Sequence, residues 1–362
     1  MDLAAGTKER SRGDRHLHPP TNRPRRSGAE LGLDRSLRIA VIGCGLIGQK
    51  RVRSVAGRAA ITACCDLNLE RAQKLAEMYP GAVASMHWQS VVARDDVDAV
   101  FICTTHNLLA PIAQAAALHG KHILIEKPGA RSAAELDGVQ EAAERTRVAV
   151  RIGFNHRYHR SFQKARAILE SGALSDLMFI RARYGHGGRK GYDEEWRAVP
   201  EISGGGEAVD QGVHLLDLAA WFLGDLSLVA GRAPTYFWNM PVEDNAFFLL
   251  ESESGKVAFL HASWTEWKNL FSFEIAGRTG KLEISGLGGS YGTERLIHYQ
   301  MLPEMGPPPT TIYEYPMPDN SWEVEIGEFF EDIRLGRAPK PGIADAQAAL
   351  RIIERLYTRS SL

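Results

Sequence analysis

Asp210 and His214 are the residues of this chain best suited to move a proton. They stand one helical turn apart in Gly204-Gly-Gly-Glu-Ala-Val-Asp-Gln-Gly-Val-His-Leu-Leu-Asp217. Side chains four apart on a helix share a face. A carboxylate beside an imidazole fixes its tautomer and raises its basicity, which suits a general base near neutral pH. The same spacing also describes an ordinary contact on a helix surface. An Asp-x-x-x-His pair could hold a metal, but no third ligand stands nearby in sequence, and none is expected. A second candidate, Lys127, closes the run His122-Ile-Leu-Ile-Glu-Lys-Pro128. Pro128 keeps Lys127 extended and stops the strand there. The carboxyl end of a parallel strand is where such sheets bind ligands. The alternative is a Glu126–Lys127 surface pair of little consequence.

Three glycines say what kind of ligand to expect. In Leu37-Arg-Ile-Ala-Val-Ile-Gly-Cys-Gly-Leu-Ile-Gly48, a G-x-G-x-x-G follows an apolar strand and opens a helix. Gly43 permits the tight turn, Gly45 lets backbone approach a pyrophosphate, and Gly48 lets the helix lie close to the sheet. The N–H groups at the helix start, around Leu46 and Ile47, then receive the phosphate charge. Asp66 ends the next strand, Ala60-Ile-Thr-Ala-Cys-Cys-Asp66, about 20 residues on, as a dinucleotide site requires. Its carboxylate would accept from a ribose 2′-OH and repel a 2′-phosphate, so NAD is expected over NADP. Arg71, a turn into the following helix, leaves NADP open. Asp66 could instead serve as the cap of the helix from Leu69 to Met78.

These residues need a scaffold, and the hydrophobic pattern supplies one. Strands are expected at Leu37–Gly43, Ala60–Cys65, Gly81–Ser85, Asp98–Cys103, His122–Ile125 and Val148–Phe154, with helices between them such as Leu69–Met78, Leu108–Leu118 and Ser132–Arg145. Ser132-Ala-Ala-Glu135 has the form of a capping box. Apolar strands joined by crossover helices make a doubly wound parallel sheet, an α/β Rossmann domain over 37–157. The rhythm then changes. A helix at Arg160–Glu170, a strand at Leu177–Tyr184 and an apolar helix at Ala208–Leu223 precede two hairpins, Asn245–Ser252 with Val257–Trp264 and Phe271–Ala276 with Leu282–Ser285. Pro307-Pro-Pro309 interrupts before final helices near Trp322–Leu335 and Asp345–Tyr357. Residues 158–362 thus read as an α+β domain with an open, largely antiparallel sheet for substrate or a second subunit, the last helix packing back on the Rossmann domain.

Composition narrows the partners. A chain of 362 residues calls for two domains, and a net charge of −1 gives no electrostatic case for nucleic acid or a membrane surface. No apolar stretch reaches the length of a membrane span. Cys44, Cys64, Cys65 and Cys103 form no C-x-x-C pair and read as small buried residues of a reducing, cytoplasmic compartment. Residues 1–36, rich in Arg, Pro and Gly, are expected to be a disordered tail without chemistry.

Taken in order, the glycine loop, Glu126-Lys127-Pro128, Gly204-Gly-Gly206 with Asp210 and His214, and the Asp345-Ala-Gln-Ala-Ala-Leu350 helix resemble the glucose–fructose oxidoreductase / inositol dehydrogenase (Gfo/Idh/MocA) family over about Leu37 to Tyr357. The resemblance implies a Lys-Asp-His catalytic set on Lys127, Asp210 and His214. It implies cofactor contacts from Thr104, Glu126 and Lys127, and a homo-oligomer, dimer or tetramer. It also implies an NAD-dependent dehydrogenase or ketoreductase moving a hydride between nicotinamide and a ring carbinol of a sugar, cyclitol or sugar derivative. Redox-neutral glycosidase-type enzymes and non-catalytic sugar sensors resemble the same family and stay as alternatives. The chain departs from the family at Thr104-Thr105-His106-Asn107-Leu108-Leu109, where Thr-Pro-Asn-x-x-His is common, and His106 or Asn107 could compensate. Phe154-Asn-His-Arg157 resembles the family's arginine-bearing segment, which makes Arg157 a candidate near the nicotinamide or else a salt-bridging arginine. In Gly185-His-Gly-Gly-Arg-Lys-Gly-Tyr192 and the following Trp196, Arg189 and Lys190 could hold a phosphate while Tyr192 or Trp196 stacks on a sugar or base. A phosphorylated or nucleotide-linked sugar therefore enters as a substrate. A solvated loop is the alternative.

Overall fold

Alternate residues of the first strand enter two different cores. Ile39 and Val41 pack on one face of a sheet and Ala40 and Ile42 on the other, and all four are buried. The structure, a computed structural model, describes residues 36–360, so the expected tail lies outside it apart from Ser36. Its first half runs β1 (Arg38–Ile42), α1 (Leu46–Ser54), β2 (Ala60–Cys65), α2 (Leu69–Ala76), β3 (Val83–Ser85), α3 (Trp88–Val92), β4 (Ala99–Ile102), α4 (His106–Leu118), β5 (His122–Glu126), α5 (Asp137–Thr146) and β6 (Val150–Gly153). The six strands are parallel in the order β3-β2-β1-β4-β5-β6. That order reverses direction between β1 and β4 and leaves a crevice beyond their carboxyl ends. The adjacent Cys64 and Cys65 fall into opposite cores, and all four cysteines are unpaired.

The second half adds α6 (Arg160–Glu170), β7 (Leu177–Gly185), α7 (Pro200–Ser203), α8 (Val213–Leu223), β8 (Leu226–Arg232), β9 (Asn245–Ser252), β10 (Val257–Ser263), β11 (Leu270–Gly277), β12 (Gly280–Ser285), β13 (Glu294–Gln300), β14 (Thr310–Tyr315), α9 (Ser321–Leu335) and α10 (Ile343–Ser360). Eight strands form a sheet in the order β14-β13-β12-β11-β7-β10-β9-β8. Both expected hairpins are present, and only the β7–β10 pair is parallel among the described ladders of this sheet. One face packs on α6 and α8 around Phe162, Leu216, Phe248 and Phe273, while the other shows Met178, Leu249, Phe259 and Ile312. The Pro307-Pro-Pro309 run is followed first by β14, which the pattern did not announce, and then by the final helices.

The two halves share more than one joint. Ile326, Phe329 and Ile333 of α9 enter the core beneath Ile39, Val41 and Phe101, so this late helix covers the first sheet beside α1 and α2. Helix α10 reaches back through Gln347, whose Nε2 donates to Asp137 at 2.8 Å, and Glu354, which accepts from Ala133 N at 2.8 Å. The expected capping box does not form. A 3₁₀ turn, Ala134–Leu136, starts that segment without a side-chain cap, and Glu135 accepts from Arg131 N at 3.0 Å instead.

Candidate active site

The glycine loop is built for an anion. Gly43 has φ +95°, and a Cβ there would stand 2.4 Å from the Cys103 carbonyl. A Cβ on Gly48 would stand 1.8 Å from the Gly43 carbonyl, whereas one on Gly45 would meet nothing within 4 Å. Two glycines thus close the turn and the third faces open space where a pyrophosphate can approach. Gly45 is the N-cap of α1, which has neither a side-chain cap nor an acidic residue in its first turn. Its leading N–H groups, with Leu46 and Ile47 beside them, suit a phosphate. Asp66 accepts from Cys44 N at 2.8 Å and Asn68 N at 2.9 Å, which ties the loop to the end of β2. It does not cap α2; Asn68 does, accepting from Arg71 N at 3.2 Å. The residues present therefore fit a dinucleotide.

Beyond β4 and β5 lies a cavity of about 460 Å³ that holds most of the expected chemistry. Ile47, Thr104, Glu126, Lys127, Trp196, Asp210 and His214 all line it. Lys127 Nζ donates to both the carbonyl of Asp210, at 2.6 Å, and its carboxylate, at 2.5 Å. Arg197 approaches the other Asp210 oxygen at 3.3 Å. Burial works against the Asp210 carboxylate, but Lys127 and Arg197 outweigh it and hold its pKa well below the usual range. Behind Lys127, Glu126 accepts from the fully buried Arg51 at 2.5 Å, and Arg51 also bonds Glu325 of α9. This buried bridge fixes the end of β5.

The Asp210–His214 pair does not form as expected. Residues Ala208–Gly212 make a π-helical turn ahead of α8. The wider turn breaks the i,i+4 spacing of a regular helix, and Asp210 faces Lys127 and Arg197 instead. His214 Nδ1 is buried without a hydrogen-bond partner, and its ring stacks on His156 at 3.8 Å between centroids, 26° from parallel. Burial, then the Lys127 charge, pushes the His214 pKa well below 6.5, so the ring is neutral.

Three other expected residues are placed elsewhere. Arg157 is not on the cavity wall: a 3₁₀ turn, Asn155–Tyr158, turns its guanidinium onto Asp217, at 2.6 and 2.9 Å, and Asp345, at 2.7 Å. Its neighbour His156 lines the cavity instead. Arg189 is largely exposed and paired with Glu195 at 2.5 Å. Tyr192 is buried in a small cluster with Val242 and Trp264, so its ring is packing, not a stacking platform for substrate. His106 does occupy the departing loop. Its Nδ1 lies 2.7 Å from the Ser203 carbonyl, and because a carbonyl only accepts, Nδ1 carries the proton. Burial and then Lys127 lower its pKa to about 4. Lys50, His159 and Asp319 also line the cavity and had no motif to announce them, while His156 stood in the Phe154-Asn-His-Arg157 segment but was not singled out.

Residues 37–154 match the model of an oxidoreductase family with an NAD-binding Rossmann fold, and residues 162–283 match the GFO/IDH/MocA C-terminal domain. The chain belongs to the Gfo/Idh/MocA family of oxidoreductases. Among Gfo/Idh/MocA relatives, levoglucosan dehydrogenase of Pseudarthrobacter phenanthrenivorans is 26% identical over 60% of this chain and 63% of its own length. Inositol 2-dehydrogenase of Gluconacetobacter diazotrophicus is 33% identical over 52% of this chain and 55% of its own. The chain therefore spans less than two thirds of either relative. A solved structure of levoglucosan dehydrogenase in complex with NADH and levoglucosan superposes with a TM-score of 0.81 at 22% identity, over 90% of this chain and 98% of that one, which shows the shared fold.

Proposed function

We propose that this protein is an NAD-dependent dehydrogenase that interconverts a ring carbinol and ketone of a sugar or cyclitol. The observation that carries this reading is the convergence of Lys127, Asp210 and His214 on one cavity at the carboxyl edge of the Rossmann strands. Gly43, Gly45 and Gly48 with the start of α1 would hold the pyrophosphate, and Asp66 the adenosine ribose. When bound, the nicotinamide supplies the hydride acceptor or donor. His214, held neutral, accepts the hydroxyl proton. Lys127 donates a hydrogen bond to the reacting oxygen and opposes its negative charge, while Asp210, itself paired with Arg197, holds Lys127 in place.

The cavity favours an unphosphorylated substrate. Lys50 is paired with Asp319 at 3.3 Å, Lys127 and Arg197 with Asp210, and Arg189 with Glu195. Every one of these cations already has a carboxylate, which leaves a neutral polyol the better fit than a phosphate. Levoglucosan dehydrogenase and inositol 2-dehydrogenase are named for neutral polyols of this kind. The exposed sheet face bearing Met178, Leu249, Phe259 and Ile312 would meet a second copy in a homo-oligomer. Four unpaired cysteines fit a reducing, cytoplasmic setting.

The test is absorbance near 340 nm with NAD⁺ and a panel of inositols, free sugars, glycosides and sugar phosphates. NADH formed with a neutral polyol, and lost with His214→Ala, supports the assignment. Wild-type turnover in His214→Ala would sink it. Product formed without net NADH would move the protein to the redox-neutral class, and binding without turnover to the sensors.

A further inference from the structure

Since Asp210 is committed to Lys127 and Arg197, something else must aim the imidazole of His214. The structure offers no hydrogen bond for that purpose at Nδ1, which is buried and unpartnered. What it offers is a ring face. The His156 imidazole lies on that of His214 at 3.8 Å, 26° from parallel, whereas Phe154 and Tyr184 touch His214 only at 6.0 and 6.3 Å in edge-on geometry. We propose that His156 is the positioning residue for His214, and that its flat face, not a carboxylate, sets the angle at which the base meets the substrate hydroxyl. This rests on His214 being the base of the proposed reaction.

His156 is itself held firmly enough to serve. Its Nδ1 lies 3.3 Å from Asn155 Oδ1, and Asn155 Nδ2 donates to Ser321 Oγ at 2.9 Å, at the first residue of α9. His159, Tyr184 and Phe271 pack around the rest of the ring, at 5.5, 5.4 and 6.1 Å. His156 Nε2, like His214 Nδ1, is buried without a partner. Both rings are neutral, because burial and the Lys127 charge oppose protonation of each. Stacking of two neutral rings constrains rotation about χ2 of His214 without adding a charge that would change its basicity. A hydrogen-bonded carboxylate would have raised that basicity, so this arrangement orients the base while leaving it weakly basic.

The test compares His156→Ala, His156→Phe and His214→Ala. Each is checked by thermal melting and by the fluorescence of bound NADH, neither of which depends on turnover. Phenylalanine keeps a flat ring and lacks nitrogen, so it separates stacking from proton transfer through His156. His156→Ala is expected to lower kcat about a hundredfold, the cost of a misplaced reacting group, with KM and NADH affinity within about threefold. His156→Phe is expected to restore most of kcat. Wild-type kcat in His156→Ala overturns the proposal. Equal loss in both His156 variants, with melting and NADH binding intact, also overturns it, because a ring nitrogen would then be required. If His156→Ala does not fold, His156→Leu, of similar bulk without a flat face, takes its place under the same criteria. Normal turnover in His214→Ala would instead remove the base assignment on which the proposal stands, a separate failure.

Discussion

Gly45 and Gly48 are three residues apart in one loop, yet replacing each by alanine should fail in different ways. At Gly48 the new Cβ would stand 1.8 Å from the Gly43 carbonyl oxygen and 3.5 Å from a Val41 methyl. The nearest atom is backbone and cannot rotate aside, so helix and turn must separate by more than an ångström. Alanine gains about 1 kcal/mol over glycine inside a helix, while overpacking of this kind costs about 3 kcal/mol or more. The net loss is about 2 kcal/mol, a fall of a few degrees in Tm for a chain of this size. At Gly45 the backbone sits at φ −70° and ψ −165°, open to any residue, and the Cβ meets nothing within 4 Å. Gly45→Ala should therefore melt at or slightly above the wild-type temperature. Its cost falls on the ligand, because the methyl occupies the space through which the pyrophosphate reaches the α1 amides. Weakening one charged hydrogen bond by about 2 kcal/mol raises the NADH Kd roughly thirtyfold. Differential scanning fluorimetry and NADH fluorescence titration read the two quantities separately. Tight NADH binding by Gly45→Ala, or equal melting losses in both variants, would refute this division of labour.

Three further outcomes follow from the same geometry. Asp210→Asn removes the carboxylate that holds Lys127 and should lower kcat about a hundredfold with little change in NADH Kd; steady-state kinetics beside a binding titration checks this, and an unchanged kcat counts against it. Asp66→Ser should reduce the preference for NAD over NADP by at least about tenfold, measured as the ratio of kcat/KM values, and an unaltered ratio would show that Asp66 only ties the loop. His106 and His122 are pushed by burial to about 4 in the fold, against about 6.5 unfolded. The unfolded chain therefore takes up protons that the native state refuses. Stability should be full above pH 6.5 and fall as pH drops toward 4, by about 3 kcal/mol for each histidine. Denaturant titrations between pH 7.5 and 4.5 test this, with His122→Gln expected to flatten the slope; a level profile in the parent protein contradicts it.

What was legible in the sequence followed from simple periodicities. The parallel strands of the first half are apolar on both faces, and β2 and β9 start and stop where the pattern says, at Ala60–Cys65 and Asn245–Ser252. Strand β13 escaped because its inward positions are Glu294, Leu296 and His298, two of them polar. Glu294 is buried against Ser161 N at 2.6 Å and His159 at 3.2 Å, partners remote in sequence that no alternation of apolar residues could signal. Strand β14 is a largely exposed edge after three prolines, which local pattern reads as a break. The dinucleotide loop was legible because its glycines answer to local sterics. Arg157 was not, because its choice of Asp217 and Asp345 depends on where α8 and α10 arrive. The partner of Asp210 was misread through an assumption of regular helix, which the π turn breaks.

That turn also explains how a partly buried ion pair serves the site. Removing a lysine and a carboxylate from water costs stability that their attraction seldom returns in full, so the gain must lie in geometry. An ammonium carries three N–H donors on a rotatable stem. Asp210 takes two of them, one with its carbonyl at 2.6 Å and one with its carboxylate at 2.5 Å. With two directions fixed, the tetrahedral nitrogen has only one left, which in the proposed reaction would serve the reacting oxygen. A regular helix would have sent the Asp210 carboxylate along the His214 face and left Lys127 with a single anchor and a free rotor. In the proposed reaction, turning the carboxylate away from His214 would thus align Lys127 as the electrophile and pass the alignment of His214 as the base to packing. The chain meets these two positional demands with two kinds of force, a chelating carboxylate for the cation and a stacked ring for the neutral imidazole, and each suits the charge of the group it holds.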